Sequence, residues 1–364
     1  MNGRVAIFLT DLRGGGAERV MLNLAYGFIA RGVEVELVLV NLEGPYLAQL
    51  PPELRVVHLG GEKLLKSLPR LVKYLRREQP EILLTALEDT NIIALWAKVI
   101  ARTRTRVVVT VHNNLSKESQ NATDLKRRLV PRLIPWFYPW ADTVVAVSKG
   151  VADDLNTLGL KQHIEVIYNP IVTPELINKA KEPVTHQWLN SGAAPVILGV
   201  GRLCKQKDFP TLIRSFALVR SHQLARLIIL GEGEDLPDLR ALVQKFKLTE
   251  DVDFPGFVAN PYAYMARSSI CVLSSAWEGF GNVLVETMAT GVPVVSTACE
   301  SGPAEVLADG KYGQLVSVGD SENMAQAIID TLESPPNLEM LKQRASEFSL
   351  DRAVSAYLQV FGYT

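Results

Sequence analysis

The stretch Glu278-Gly-Phe-Gly281-Asn282-Val283-Leu-Val-Glu286 sets two carboxylates eight positions apart around a glycine-rich turn. A helix opening near Gly281 leaves Glu278 in the preceding loop and carries Glu286 about one turn inside, so the two can reach different parts of one extended ligand. The amides near Gly281, Asn282 and Val283, at the positive end of that helix, suit a phosphate. An acid in a first helical turn is also ordinary capping, and for a lone Glu286 that reading stands beside the first. A second group lies upstream: Gly201-Arg202-Leu-Cys-Lys205-Gln-Lys207-Asp208 follows an apolar run. Its cations, with Arg202 and Lys207 the expected pair, can clamp a diphosphate by charge and by the forked hydrogen bonding of a guanidinium; a solvated basic turn is the alternative. Near the N-terminus Gly14-Gly15-Gly16 allows close backbone approach at a strand-to-helix turn, although its spacing is not GxGxxG. His112, followed by Asn113-Asn114, ends another apolar run.

These residues follow strand-like segments. Arg4–Thr10, Val33–Val40, Arg55–Leu59, Glu81–Ala86, Arg106–Val111 and Thr143–Ser148 read as strands, separated by amphipathic helical patterns such as Glu18–Ala30 and Asn91–Ala101. Apolar strands joined by helical crossovers predict a parallel sheet covered on both faces. A second series, Val196–Val200, Leu227–Leu230, Val252–Phe254, Ile270–Ser274, Val292–Ser296 and Gln314–Ser317, predicts another such domain. The expectation is an α/β chain of two Rossmann-like, doubly wound domains facing across a cleft: residues 1–170, a proline-bearing linker at 171–194, a second domain at 195–348, and a terminal helix at 349–364 returning to the first domain. In such sheets ligands bind at the carboxyl ends of the strands, where all of the groups above lie.

Composition narrows the class. A chain of 364 residues, 48% hydrophobic, supports two cores. Cys204, Cys271 and Cys299 are widely spaced and odd in number, so neither a disulfide framework nor a zinc site is expected. The start reads as a strand rather than a signal peptide, and no apolar run reaches the ~18 residues that span a bilayer. A cytoplasmic location is expected, without a nucleic-acid partner. Net charge is −1 overall, but residues 1–182 carry 24 Lys+Arg against 19 Asp+Glu (+5) and residues 183–364 carry 14 against 20 (−6). A basic first half hints at an anionic partner.

Taken together, Gly201-Arg202, Lys207-Asp208, Glu278-x7-Glu286 and Gly14-Gly-Gly-Ala-Glu-Arg19 resemble glycosyltransferase family 4, retaining enzymes of the GT-B fold. Val147-Ser148-Lys-Gly150, Asn169-Pro170 and Ser301-Gly302-Pro303-Ala-Glu305 extend the resemblance along essentially the whole chain, and it is similar to bacterial enzymes that act on lipid-linked oligosaccharides. The resemblance implies that Arg202 and Lys207 neutralise the donor diphosphate with the amides of Gly281, Asn282 and Val283. It implies that Glu278 binds hydroxyls of the transferred sugar, Glu286 the ribose, and Phe257-Val258 the nucleobase. Gly15 and Gly16 would lie under the diphosphate and sugar, and His112 would orient the sugar. Fixed cations at the leaving group would make a metal unnecessary, so no metal or cofactor is expected beyond the nucleotide-sugar substrate, with UDP-sugars favoured. The only DxD-like stretch, Asp251-Val-Asp253, reads as structural.

Two basic stretches bear on the acceptor. Lys63 to Arg77 sets Leu64, Leu68, Leu71 and Leu75 at helical spacing among cations, and Lys126 to Trp140 mixes Arg127, Arg128 and Arg132 with Trp136, Phe137, Tyr138 and Trp140. Both suit the headgroup layer of an anionic membrane, and both also suit helices that turn an apolar stripe to their own sheet. The first reading leads to peripheral docking on the cytoplasmic membrane face and a glycan or polyprenyl-diphosphate-linked sugar as acceptor. A nucleotide-sugar epimerase and a non-catalytic nucleotide-sugar-binding protein remain as alternatives.

Overall fold

The computed structural model describes residues 3–61, 63–122, 124–192 and 194–363, which fall into two compact units. The first is Met1–Pro170 together with Leu350–Thr364, and the second is Ile171–Ser349. No helix among the described residues is long and apolar enough to cross a membrane.

The first unit is built on seven parallel strands: β1 (Arg4–Leu9), β2 (Glu34–Leu39), β3 (Arg55–His58), β4 (Ile82–Ala86), β5 (Arg106–Val111), β6 (Thr143–Ala146) and β7 (Ile164–Val166). Their spatial order is β3-β2-β1-β4-β5-β6-β7, so the winding reverses between β1 and β4. Central strands are buried nearly end to end, as β4 shows, because helices cover both faces of a parallel sheet. β7 escapes sequence reading: three residues, none of them fully buried, carry too little pattern. A buried Glu36 interrupts the apolar run of β2; it accepts from the Tyr74 hydroxyl at 2.6 Å and pairs with Arg4 at 3.0 Å, so its charge is compensated inside the fold.

The terminal helix Leu350–Phe361 belongs to this unit and packs on the helix Gly16–Ala30. Phe28 meets Phe361 with ring centroids 5.4 Å apart and Tyr357 at 6.2 Å. The close approach requires Gly27, where a Cβ would stand 2.3 Å from a Val354 methyl. Arg106 donates to the carbonyls of Val360 and Phe361 at 2.9 and 3.0 Å, neutralising the negative end of that helix.

The second unit has six parallel strands, β8 (Val196–Val200), β9 (Arg226–Leu230), β10 (Val252–Gly256), β11 (Ile270–Leu273), β12 (Val294–Thr297) and β13 (Gln314–Val316), in the order β10-β9-β8-β11-β12-β13. Its winding reverses between β8 and β11. β10 is one of the two edge strands, where Pro255 is tolerated beside a register shift between Asp253 and Gly256. Residues 171–194, expected as a linker, lie inside this unit and carry the short helices Pro174–Lys179 and Gln187–Ser191. Thr173 caps the first of these, Leu176 is buried, and the Asn260 amide donates to the Lys179 carbonyl at 2.9 Å. Prolines mark breaks in regular structure without saying whether the segment between them is packed, and here it is.

Candidate functional site

In the second unit the groups singled out by sequence converge on the carboxyl edge at the β8/β11 reversal. β8 ends at Val200, and Leu203, fully buried, pins the following loop so that Arg202 projects outward. Arg202 is exposed; its carbonyl accepts from the Cys204 amide at 2.9 Å, whereas its guanidinium pairs with no other described residue. A 3-10 turn, Lys205–Lys207, brings Lys207 back over the edge; Asp208 then takes a left-handed conformation (φ 44°) and the helix Phe209–His222 begins. From the other side, β11 runs into Ser274 and Ser275. The Ser274 hydroxyl donates to the Lys207 carbonyl at 2.7 Å, the Ala276 amide to the Gln206 carbonyl at 2.8 Å, and the Gln206 amide to the Trp277 carbonyl at 3.1 Å. These bonds stitch the two loops into one rigid ledge.

On that ledge Lys207 and Glu278 form an ion pair through Glu278 Oε1, which also accepts from the Ser275 hydroxyl at 2.6 Å. Glu278 is buried and Lys207 largely so, with side chains 9% and 17% exposed. Both bonds go to Oε1, leaving Oε2 as the acceptor still open. The helix Asn282–Thr290 starts immediately afterwards on Gly281, whose φ of 88° favours a residue without Cβ. The Leu284 amide closes its first turn onto the Gly281 carbonyl at 3.0 Å, and this helix start follows β11 at the same edge of the sheet. Glu286 is half-buried on this helix. Phe257, half exposed, follows β10 together with the partly buried Val258 on the same edge of the sheet. Arg202, Lys207, Glu278, Gly281, Asn282, Val283, Glu286, Phe257 and Val258 thus all follow strand ends of one sheet.

Ser275 and Gln206 carry the geometry of the ledge, yet sequence reasoning passed over them. The Ser275-x-x-Glu278 spacing was the available signal, since it resembles a capping box, but here it ties a loop rather than a helix start. The DxD-like carboxylates are occupied elsewhere: Asp251 pairs with Arg220 at 2.9 Å and with Arg226, and Asp253 accepts from His186 Nε2 at 2.9 Å. Among the described residues no cluster of three or more His, Cys, Asp or Glu side chains is arranged to hold a metal ion. The three cysteines are free, and burial pushes the Cys271 and Cys299 thiols up to about 12.

The first unit has its own reversal, between β1 and β4. The glycine loop follows β1, with Gly14 at φ 100°, Gly15 as the cap and Gly16 as the first residue of the helix that follows. Thr10 and Thr90 bridge the reversal, hydroxyl to hydroxyl at 3.2 Å. His112 follows β5, one strand along, with Nε2 2.8 Å from the Thr110 hydroxyl, and burial pushes its imidazole down to about 4. At neutral pH it is uncharged. Glu88 opens the helix after β4; its Oε1 is inaccessible and unpartnered, and burial followed by the neighbouring Glu118 raises the carboxyl to about 7.

Comparison with known proteins gives this geometry its context. A family described as Glycosyltransferase Family 4 matches residues 14–174, and one described as Glycosyl transferases group 1 matches residues 182–348. Over 357 residues the chain is 32% identical to the N-acetylgalactosamine-N,N'-diacetylbacillosaminyl-diphospho-undecaprenol 4-alpha-N-acetylgalactosaminyltransferase of Campylobacter jejuni, covering 94% of this chain and 93% of that one.

This chain belongs to glycosyltransferase family 4.

It is an enzyme that transfers sugars. A second relative, the lipopolysaccharide core biosynthesis glycosyltransferase LpsE of Rhizobium meliloti, is 30% identical over 360 residues, covering 95% of each chain. Among solved structures, Anabaena HepE in complex with UDP and glucose aligns with a TM-score of 0.82 at 20% identity, over 99% of both chains. At that identity the likeness speaks for the fold, and the two parallel-sheet units are those of a GT-B glycosyltransferase.

The two basic stretches part company in the first unit. In the helix Leu68–Glu78, Leu71 and Leu75 are fully buried, so the apolar stripe faces the protein, and Pro69 with the cations Arg70, Lys73, Arg76 and Arg77 remains outside, preceded by an exposed Leu65. In the helix Leu125–Phe137 the inner stripe is Val130 and Ile134. A second apolar stripe, Leu129, Leu133, Trp136 and Trp140, faces solvent, and Trp136 is 74% exposed. Arg127, Arg128 and Arg132 flank it; the side chain of Lys126 lies outside the described set.

Proposed function

We propose that this enzyme is a retaining, metal-independent glycosyltransferase that moves a hexose or N-acetylhexosamine from a UDP-sugar to a glycan or polyprenyl-diphosphate-linked sugar. The observation that carries the donor site is the ledge at the β8/β11 reversal: an exposed Arg202, the buried Lys207–Glu278 pair and the helix start at Gly281 all follow adjacent strand ends. Such a constellation supports binding of a ligand with both anionic and hydroxyl groups. Arg202, Lys207 and the amides of Gly281, Asn282 and Val283 take the diphosphate, and Glu278 Oε2 accepts hydroxyls of the transferred sugar. Glu286 holds the ribose, and Phe257 with Val258 packs on the base.

As the glycosidic bond breaks, negative charge gathers on the leaving diphosphate. Cations already fixed in place stabilise that charge more than they stabilise the ground state, and this difference is what accelerates the step. The acceptor hydroxyl then attacks from the face the nucleotide leaves and passes its proton to the departing diphosphate oxygen, which retains configuration.

The exposed Leu129, Leu133, Trp136, Trp140 stripe with its flanking arginines supports peripheral docking on an anionic cytoplasmic leaflet, where a lipid-linked acceptor would be found. The family relative that acts on a diphospho-undecaprenol-linked sugar favours an acceptor of that kind.

The test is a melting-temperature screen without metal, using UDP, GDP, ADP and their sugar conjugates on the wild type and on Glu286→Ala. A UDP-specific rise that disappears in the variant is the expected result, because a ligand bound only by the folded state stabilises it by mass action. Products from the active donor then show transfer with retained anomeric configuration. No shift with any nucleotide, or a donor sugar altered without an acceptor, as an epimerase would give, overturns the reading.

A further inference from the structure

The outer stripe of the helix Leu125–Phe137 does not end with that helix. The Phe137 ring lies 5.4 Å, centroid to centroid, from Trp96 on the helix Glu88–Ala101 and 5.1 Å from Trp140, edge to face in both cases. Three rings therefore join two helices of the first unit. Side chains three and four positions beyond Trp96 share its side of the helix, and these are Val99 and Ile100, 51% and 47% exposed. The last turn that carries them is held from a third helix, Leu68–Glu78: the Arg76 guanidinium donates to the Ile100 carbonyl at 2.9 Å and to the Ala101 carbonyl at 3.4 Å. Arg102 closes the helix in the left-handed conformation, φ 54°, and is exposed, as is Arg104 just beyond it. Lys98 donates to the Trp140 carbonyl at 3.4 Å and pairs with Asp142, so the acid at this junction is compensated.

We infer that Val99 and Ile100 are a second membrane insertion point, so that the first unit meets an anionic bilayer with a two-helix platform, and that Arg76 is the positioning residue that holds this point in place. The inference rests on the reading that the exposed Leu129, Leu133, Trp136 and Trp140 stripe docks on such a bilayer. Charge selects this occupant. Exposed arginines border both parts, Arg128 and Arg132 beside the stripe, Arg102 and Arg104 beside Val99 and Ile100. Indoles and guanidiniums suit the level of the lipid phosphates, while aliphatic side chains reach the acyl boundary. A single stripe leaves the unit free to roll about one helix axis. A second contact on a neighbouring helix removes that freedom and sets the tilt of the sheet against the bilayer. It needs little further ordering, because Arg76 and the three rings already fix the helices to one another.

Flotation of the full-length protein with vesicles of phosphatidylglycerol and phosphatidylcholine at low salt tests this. Val99→Ser combined with Ile100→Ser is expected to weaken binding about tenfold at unchanged Tm, since both side chains are exposed. A polarity-sensitive dye on Ile100→Cys, in a Cys204→Ser background that leaves only the buried Cys271 and Cys299, is expected to shift to the blue with the same vesicles. Arg76→Lys keeps the charge without the planar fork, so a positioning role predicts that the dye shift falls as far in Arg76→Lys as in Arg76→Met. A full shift in Arg76→Lys shows that only the charge counts and overturns the positioning. Binding of the double variant equal to that of the wild type, or a dye that stays in water while the protein floats, overturns the second insertion point. A dimer that forms without vesicles and is lost in the double variant overturns it too, by giving the platform to a second copy of the chain. If the wild type does not float at all, it is the docking reading that fails.

Discussion

The buried Lys207–Glu278 pair sets stability against function in a way that one mutant cycle can separate. The side chains are 17% and 9% exposed, so both charges are largely removed from water, and each compensates the other. Replacing Lys207 with Met leaves the Glu278 carboxylate buried with only the Ser275 hydroxyl, at 2.6 Å, to stabilise it. Removing one partner of such a pair costs about 3 kcal/mol, against about 0.2–1 kcal/mol for an exposed pair. The second unit spans 179 residues (349 − 171 + 1). For a domain of that size about 3 kcal/mol corresponds to roughly 6–12 °C in Tm. Glu278→Gln should cost less, because an amide beside an ammonium leaves no bare anion. The double variant, Lys207→Met with Glu278→Gln, should recover most of the loss, giving a coupling of roughly 2 kcal/mol. Catalysis should not recover with it: without the cation at the leaving diphosphate, kcat/KM should stay at least about 100-fold down. Thermal unfolding and steady-state transfer from the UDP-sugar identified by the screen supply both readouts. A loss below about 1 kcal/mol in Lys207→Met would place the pair among exposed ion pairs and refute the burial argument; transfer within tenfold of wild type in the double variant would refute the assignment of Lys207 to the leaving group.

Further expectations concern the first unit. Glu88 has its carboxyl raised from 4.5 to about 7, so the unfolded chain releases this proton before the folded one, and the group lowers stability as pH rises through that window. Glu88→Gln should therefore stabilise the protein by about 2 kcal/mol at pH 8 and hardly at all at pH 4.5, allowing for partial exposure and for Glu118; urea unfolding at both pH values checks it, and a difference independent of pH would contradict it. Phe361, buried against Phe28 and Tyr357, should cost about 3–5 kcal/mol when replaced by Ala, measured by chemical unfolding. An unchanged midpoint would mean that the terminal helix contributes nothing to this unit. Leu133→Ser combined with Trp136→Ser should leave Tm unchanged, since both side chains are exposed, and should lower flotation with anionic vesicles at low salt about tenfold. Equal flotation of variant and wild type would remove the stripe from membrane docking.

Much of the fold was legible because burial on both faces of a parallel sheet demands long apolar runs. β5 and β8 were read to the residue, and most other strands within one or two positions. β7 failed for lack of length and of burial, and residues 171–194 misled because prolines look alike in a linker and in a packed connection capped by Thr173. Of the two basic stretches, the first was marked by helical spacing and the second by its mix of cations and aromatics. Which stripe faced inward was a tertiary matter: Leu71 and Leu75 are buried, whereas Leu129, Leu133 and Trp136 are exposed.

The site divides in the same way. The types and spacing of Arg202, Lys207, Glu278 and Glu286, the glycine at the helix start, and their places after apolar strand-like runs were legible in the sequence alone. Partnership was not. That Lys207 reaches Glu278, 71 positions away, and that Ser275 holds the same oxygen, depends on β8 and β11 becoming neighbours at the reversal of the sheet. Protonation was decided there too. His112 is an ordinary histidine in the sequence, and its imidazole is pushed down from the usual range only where folding buries it 2.8 Å from the Thr110 hydroxyl. Local chemistry is written residue by residue, whereas desolvation and hydrogen-bond direction are properties of the packed surroundings.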